Sequence, residues 1–366
     1  MYLPSVSPLP PGVRPMIRAV VFCLLAGLGA YASAEARDCQ PGGPCSSPVE
    51  VRAVVVTLFE IGEDEGDRPG EFQLWKSRGN FTVSFPFPQG HHELVYDPER
   101  KVLAMVTGIG TMKSTANIMA LGLDARFDLT KAYWLVAGIA GIDPADASLG
   151  SAVWSTYLVD GDLGHEIDPR EMPADWAYPY FPRRAATPYA QPRPPSEGEI
   201  FVLNDGLRNW AYAQTKDLKL PDLPGMAEAR AAYEEPMAKR PPFVLKGAHL
   251  AAMTFWHGAL LNDWANHWVA YWSEGQGNFV TSAMEDTGTA QALTYLDRLG
   301  KADYDRLMVL RAGSNYTTPP PGLGAAENLL EERGSGYSGL LGAVESLYLV
   351  GNTVVDALLA DWPRYR

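Results

Sequence analysis

The chain has 366 residues, enough for one large α/β domain or two smaller ones, and it is 46% hydrophobic and 20% charged, a composition that supports a sizeable core. Its net charge of −13 argues against nucleic acid or an anionic membrane as a partner, because both call for clustered Lys and Arg. Any phosphate site has to be built locally, from backbone N–H groups and a few cations.

Arg14 and Arg18 precede an apolar run from Ala19 to Ala30, and Ala32-Ser33-Ala34 follows. These are the charged, apolar and small-residue parts of a secretory signal. The run is shorter than the roughly 20 residues of a membrane span. The expectation is a signal over residues 1–34, cut after Ala34 or alternatively Ala36. The mature protein is then periplasmic or extracellular; a retained N-terminal anchor is the competing reading. Residues 35–50 read as a Pro/Gly-rich linker carrying Cys39 and Cys45, which an oxidising compartment lets pair as a small staple or leaves free. No later apolar stretch reads as a membrane span. The richest, Leu250 to Trp272, is broken by His257, Asn262, Asp263, Asn266 and His267.

Residues 51–366 read as the folded domain. Val51 to Leu58 is a compact β-branched run suited to a buried strand, ending in an acidic loop from Glu60 to Glu71. Glu93–Tyr96 and Val102–Thr107 form a strand pair around the turn Asp97-Pro98-Glu99-Arg100. After Gly108-Ile109-Gly110 a helix runs from Met112 to Leu123, with Met112, Ala116, Met119, Ala120 and Leu123 on one apolar face. A strand over Ala132–Ala137 enters a loop, Gly138-Ile139-Ala140-Gly141, whose missing side chains let backbone approach a ligand. Gly150–Val159 is a further strand. Pro169 to Pro195 is a surface excursion dense in Pro and aromatics. Asn204 caps a helix to about Gln214. Asp263–Trp272 and Thr287–Leu299 read as helices, and Asn278–Ala283 as a strand. Leu307–Leu310 is a strand opening into Arg311-Ala312-Gly313-Ser314-Asn315. Leu340 to Leu359 is a closing apolar helix. Alternating strands and helices indicate a single three-layer α/β domain with a central mixed, largely parallel sheet. Ligands bind such sheets beyond the carboxyl ends of the strands.

Four loops occur in a telling order: Gly108-Ile109-Gly110, Gly138 to Gly141, Met284-Glu285 and Ser314-Asn315. This order resembles the nucleoside phosphorylase and nucleosidase fold. Thr57-Leu58-Phe59-Glu60, Trp256-His257-Gly258 and Glu285-Asp286-Thr287 resemble the purine nucleoside permease family. The resemblance implies a purine nucleoside as ligand. It implies that Glu285 accepts from ribose hydroxyls, its two oxygens suiting a vicinal diol, while Met284 packs the sugar. It places Asn315, beside Ser314, at purine N7, where an amide donates a hydrogen bond but cannot deliver a proton. Gly138 lies at the approach of the backbone to the ligand. Gly110 and Lys113 offer a helix N-terminus and a charge to an anion, so phosphate is a second candidate ligand. The acids of the Glu60–Glu71 loop disfavour phosphate, and Glu60, or second Glu63, is expected to position a water as nucleophile. Trp256 or Phe255 is expected to stack on the base, with His257 bonding sugar or base.

Hydrolysis of the N-glycosidic bond is therefore expected ahead of phosphorolysis. The alternative is a non-catalytic nucleoside-binding component that works with a membrane transport partner. Nothing calls for a cofactor; the six His are too scattered to suggest a metal site. A homodimer is the default assembly expected of the related folds.

Overall fold

The computed structural model describes residues 47–366 apart from 189, 192–193 and 196–197. The expected signal, most of the linker, Cys39 and Cys45 lie outside the described residues. The fold begins inside the segment read as linker: β1 (Val49–Glu50) pairs in parallel with β6 (Phe127–Asp128).

The main sheet starts with β2 (Ala53–Thr57), every residue of which is buried. Side chains alternate across it. Val54 and Val56 join one apolar cluster, Ala53 and Val55 the other, as a strand covered on both faces requires. After α1 (Gln73–Arg78) come β3 (Val83–Phe85), β4 (Leu94–Asp97) and β5 (Val102–Val106). β4 and β5 are antiparallel, and Asp97 Oδ1 closes their turn on the Glu99 and Arg100 N–H groups. α2 (Thr111–Gly122) follows β5. Its buried residues include Asn117, Ile118 and Leu121, whereas Met112 and Leu123, on the face expected to be buried, point outward. The apolar spacing of three and four fits both faces of this helix, and Ser114 and Asn117 mask the inner one because each finds a hydrogen-bond partner there.

β7 (Tyr133–Ile142) and β8 (Ala152–Asp160) come next, then a small antiparallel hairpin of β9 (Gly164–Glu166) and β10 (Tyr180–Pro182) in the Pro-rich excursion. β11 (Ile200–Val202) leads to α3 (Asp205–Thr215), whose N-cap Asn204 accepts from the Leu207 N–H, and to α4 (Pro224–Ala231). β12 (Val244–Ala251), α5 (Ala259–Trp272), β13 (Phe279–Ala283), α6 (Asp286–Arg298) and β14 (Leu307–Tyr316) complete the α/β part. α7 (Ala325–Ser335), α8 (Leu340–Ala360) and a terminal turn α9 (Trp362–Tyr365) end the chain.

The fold is mixed α/β in three layers. One cluster joins β2, β5 and β7 to α2 and α6; the other joins them to α8. Parallel pairs link β5, β2, β7 and β14. Beyond these the sheet closes on itself. β14 pairs with β8, β8 with β12, β12 with β13, and β13 returns antiparallel to β7. Both glycine-rich segments expected to be loops, 138–141 and 311–315, are strand, since each is the other's neighbour in the β7–β14 ladder. α8 is long and apolar enough to cross a membrane by length and composition, contrary to expectation, but half of that window is buried in the protein.

Candidate functional site

Strand ends and the turns beyond them converge on a cavity of about 270 Å³. Leu58, Phe59 and Glu71 reach it from beyond β2, Ile109 from beyond β5, and Ile139 to Gly141 from β7. Met284 and Glu285 come from the β13–α6 junction, Ser314 and Asn315 from β14, and Phe255 and Tyr337 cover it with parallel rings 6.3 Å apart.

The polar end is a buried cluster of opposite charges. Arg311, 1% exposed, donates from Nη2 to Glu285 Oε2 at 3.0 Å, from Nε to Asp286 Oδ1 at 3.2 Å and from Nη1 to Ile139 O at 2.9 Å; Nη2 also reaches Asp286 Oδ2. His249 Nε2 lies 2.9 Å from the same Asp286 oxygen, and its Nδ1 meets Thr281 Oγ1 at 2.9 Å. Burial pushes the Asp286 carboxyl up, but Arg311 and His249 outweigh it and hold the group below the ordinary carboxylate range. Burial likewise opposes the charge on Arg311, and Asp286, Glu285 and Glu71 outweigh it.

Glu285 lies just past β13 as the N-cap of α6. Its Oε1 accepts the Gly110 N–H at 3.0 Å, and its Oε2 accepts the Met284 N–H at 3.2 Å besides Arg311. That leaves acceptor capacity on Oε1 for a hydroxyl. Glu71 is 3% exposed. Its Oε2 accepts from Leu58 N at 2.7 Å and its Oε1 from Ile139 N at 2.7 Å, tying the residue just past β2 to the interior of β7. Burial pushes this carboxyl up to about 8; Arg311 opposes the shift, the charge of Glu285 adds to it, and the two backbone donors oppose it.

Across the cavity Asn315 is 4% exposed; its Oδ1 accepts from Ser314 Oγ at 3.0 Å and its Nδ2 donates to Tyr316 O at 3.2 Å. One amide N–H is left for a ligand.

The cavity thus gathers Glu285, Met284, Ser314 and Asn315. Phe255, one of the two rings expected to stack on the base, also borders it, whereas the remaining expected site residues sit elsewhere. Glu60 does not line it. Its Oε1 takes the N–H groups of Ile61 and Gly70, and its Oε2 those of Phe72 and Gln73, so it closes the loop and faces the N-terminus of α1. Gly138 makes room for an arginine instead of a ligand: a Cβ there would lie 2.4 Å from Arg311 Nη1. Gly110 keeps φ at +100°, and its N–H is spent on Glu285, so it is not open to an anion. Lys113 is exposed and off the lining. Trp256 and His257 line a neighbouring aromatic cavity; burial lowers the pKa of His257. Sequence reasoning missed Glu71, Arg311, Phe59, Ile139 and Tyr337. Arg311 left a signal, a lone charge in an apolar run. Glu71 did not stand out among the acids of its loop.

A family model described as purine nucleoside permease (NUP) matches residues 50–366. The chain belongs to the purine nucleoside permease family. It is 29% identical over 320 residues to the purine nucleoside permease of Candida albicans, covering 86% of this chain and 76% of that protein. It is 30% identical over 284 residues to a probable purine nucleoside permease of Schizosaccharomyces pombe, covering 75% of this chain and 80% of that one. Among solved structures it resembles the 5′-methylthioadenosine/S-adenosylhomocysteine nucleosidase of Neisseria meningitidis bound to methylthio-immucillin-A. That match has a TM-score of 0.50 at 14% identity, over 85% of this chain and all of that one. The S. pneumoniae enzyme with a transition-state inhibitor matches with a TM-score of 0.51 at 14% identity, over 84% of this chain and all of that one. This chain therefore shares the fold of these nucleosidases.

Proposed function

We propose that this chain binds a purine nucleoside in the Glu71–Glu285–Asn315 cavity and hydrolyses its N-glycosidic bond. The observation that carries the reading is that two buried carboxyl groups, Glu71 and Glu285, and the hydrogen-bonding amide of Asn315 line one cavity. Glu285 Oε1 accepts from a ribose hydroxyl, and Met284 packs the sugar. Glu71, as carboxylate, orients a water toward C1′ and takes its proton as the C–O bond forms. The C–N bond breaks with its electrons passing to the base. Asn315 steadies the developing charge at N7 by a hydrogen bond, and the base gains its proton from solvent. The ribosyl centre is cationic in passing, which the acidic end favours.

Water is favoured over phosphate as nucleophile because Arg311 is the cation on the lining and Asp286 and Glu285 already neutralise it. A purely binding role, feeding a membrane transport partner, is the second reading. It is favoured by Asn315, which holds no proton to give.

Incubation of the purified protein with inosine and adenosine, with and without phosphate, decides between them. Free base released equally in both conditions is the expected result. Release only with phosphate would replace hydrolysis by phosphorolysis. Tight binding without release would leave the binding role alone.

A further inference from the structure

Next to the site lies a second, larger cavity of about 520 Å³. A third, small cavity of about 30 Å³ lies between the two. It shares Asn315, Met284 and Ala283 with the first cavity, and Ala252, Thr254 and Trp256 with the second; Phe255 borders all three. The order from one end is therefore Glu285 and Glu71, then Asn315, then Trp256, then the aromatic chamber.

The chamber is built for a flat apolar group. Trp256, Trp264 and Trp268 run along one side, with ring centroids 6.0 and 5.6 Å apart, and Tyr180 lies 5.4 Å from Trp264. Trp264 is 4% exposed, yet its indole N–H, like that of Trp256, has no partner among the described residues. Asp162 and Glu166 line the chamber and no Lys or Arg among the described residues does, so an anionic group is disfavoured. Its walls come from the β9–β10 hairpin, from α5 and from α7. At about 270 Å³ the first cavity falls below the roughly 300 Å³ at which small-molecule pockets begin, and the chamber lies well within their range.

We propose that the chamber holds a neutral or cationic aromatic substituent carried by the base, so that the preferred ligand is a purine nucleoside extended on its base. The inference rests on the placement of ribose at Glu285 and base at Asn315 proposed above. With ribose at the carboxylate end, the edge of the base past Asn315 faces this small intervening cavity. A substituent on that edge reaches the Trp256 ring, while one on the 5′ carbon stays at the other end.

The test compares adenosine, N6-benzyladenosine and 5′-S-benzyl-5′-thioadenosine by calorimetry, with the wild-type chain and Ala326→Trp. Ala326 is an exposed residue of α7 on the chamber wall, so a large side chain there fills the chamber without entering the core. The expected result is that N6-benzyladenosine binds about tenfold or more tightly than adenosine, as burial of one aromatic ring allows. Ala326→Trp removes that preference and leaves adenosine within about twofold, because adenosine does not reach the chamber. Binding of adenosine with no gain from the N6-benzyl group would overturn the proposal and leave the nucleoside site standing. So would a preference for the 5′-benzyl compound, or an N6 preference that survives in Ala326→Trp. No binding of any of the three would remove both readings together.

Discussion

Glu71 holds a proton near neutrality because its carboxyl is buried and shares its surroundings with Glu285, and neither Arg311 nor its two backbone donors fully offset this. The sign of the effect on stability follows from the proton count. In the unfolded chain the group has its ordinary value of 4.5, and in the fold it is pushed up to about 8. Between those values the folded state binds the extra proton, so stability falls as pH rises through this window and is full below it. The proposed hydrolysis would run the other way, because the carboxylate is the form that takes a proton from water. We expect kcat/KM to rise with pH toward about 8 and then level. Glu71→Gln is expected to lower kcat by about 100-fold or more, the usual contribution of a positioned base. It also leaves either Leu58 N or Ile139 N facing an amide NH₂, a loss of about 1–3 kcal/mol. The slope of melting temperature against pH between 5 and 8 should flatten in that variant. A steep slope retained in Glu71→Gln would show that another group titrates.

The elements show where reading a sequence works and where it stops. β2, the β4–β5 pair, α3, α6 and α8 were legible because period, turn residues and caps agree: Asn204 closes α3, and Asp97 closes the β4–β5 turn. The cavity residues Glu285 and Asn315 were legible through the order of their motifs. What was hidden depended on pairing across long separations. The segments 138–141 and 311–315 are rich in Gly and Ala, which read locally as loop, and only their mutual ladder makes them strand. Glu60 and Glu71 sit in one acidic run, and the chain alone does not say which turns inward. The Phe72, Leu74 and Trp75 that follow Glu71 are buried, and they carry it in. The β7–β14 pair also sets a test of Gly138. A Cβ there would lie 2.4 Å from Arg311 and 2.5 Å from Leu58 Cδ2. Gly138→Ala should cost about 1–3 kcal/mol, the range for overpacking, and weaken nucleoside binding by moving Arg311 off Glu285. Denaturant unfolding checks the first effect and calorimetry the second. Unchanged affinity would mean that Arg311 does not hold Glu285 in place.

At the scale of the whole molecule, closure of the sheet through β14, β8, β12 and β13 brings distant parts of the chain to one cavity. Glu71, Ile139, Glu285 and Asn315 are far apart in sequence, and a nucleoside bound as proposed would touch all four segments at once. α8 belongs to this same body: it packs with Leu135 and Leu310 of the central strands in one cluster, and its Gly351 would meet Trp75 and Leu135 if it carried a Cβ. A helix held this way is core, whatever its apolar length suggests. A ligand that bridges the strand ends binds only the closed fold, so it should stabilise the whole unit and not a single loop. Ligand at about 100 times its Kd adds about 2.7 kcal/mol by mass action. We therefore expect inosine or adenosine to raise the melting temperature as one cooperative transition. Glu285→Ala should abolish the rise, because it removes the acceptor for the sugar and one of the two carboxylates that Arg311 hydrogen-bonds. Loss of that acceptor also frees the Gly110 N–H, so the variant's own melting point is measured first, and the ligand-induced shift is read against it. A shift of wild-type size in Glu285→Ala would move the sugar away from the carboxylate end, and with it the order of groups along the cavity.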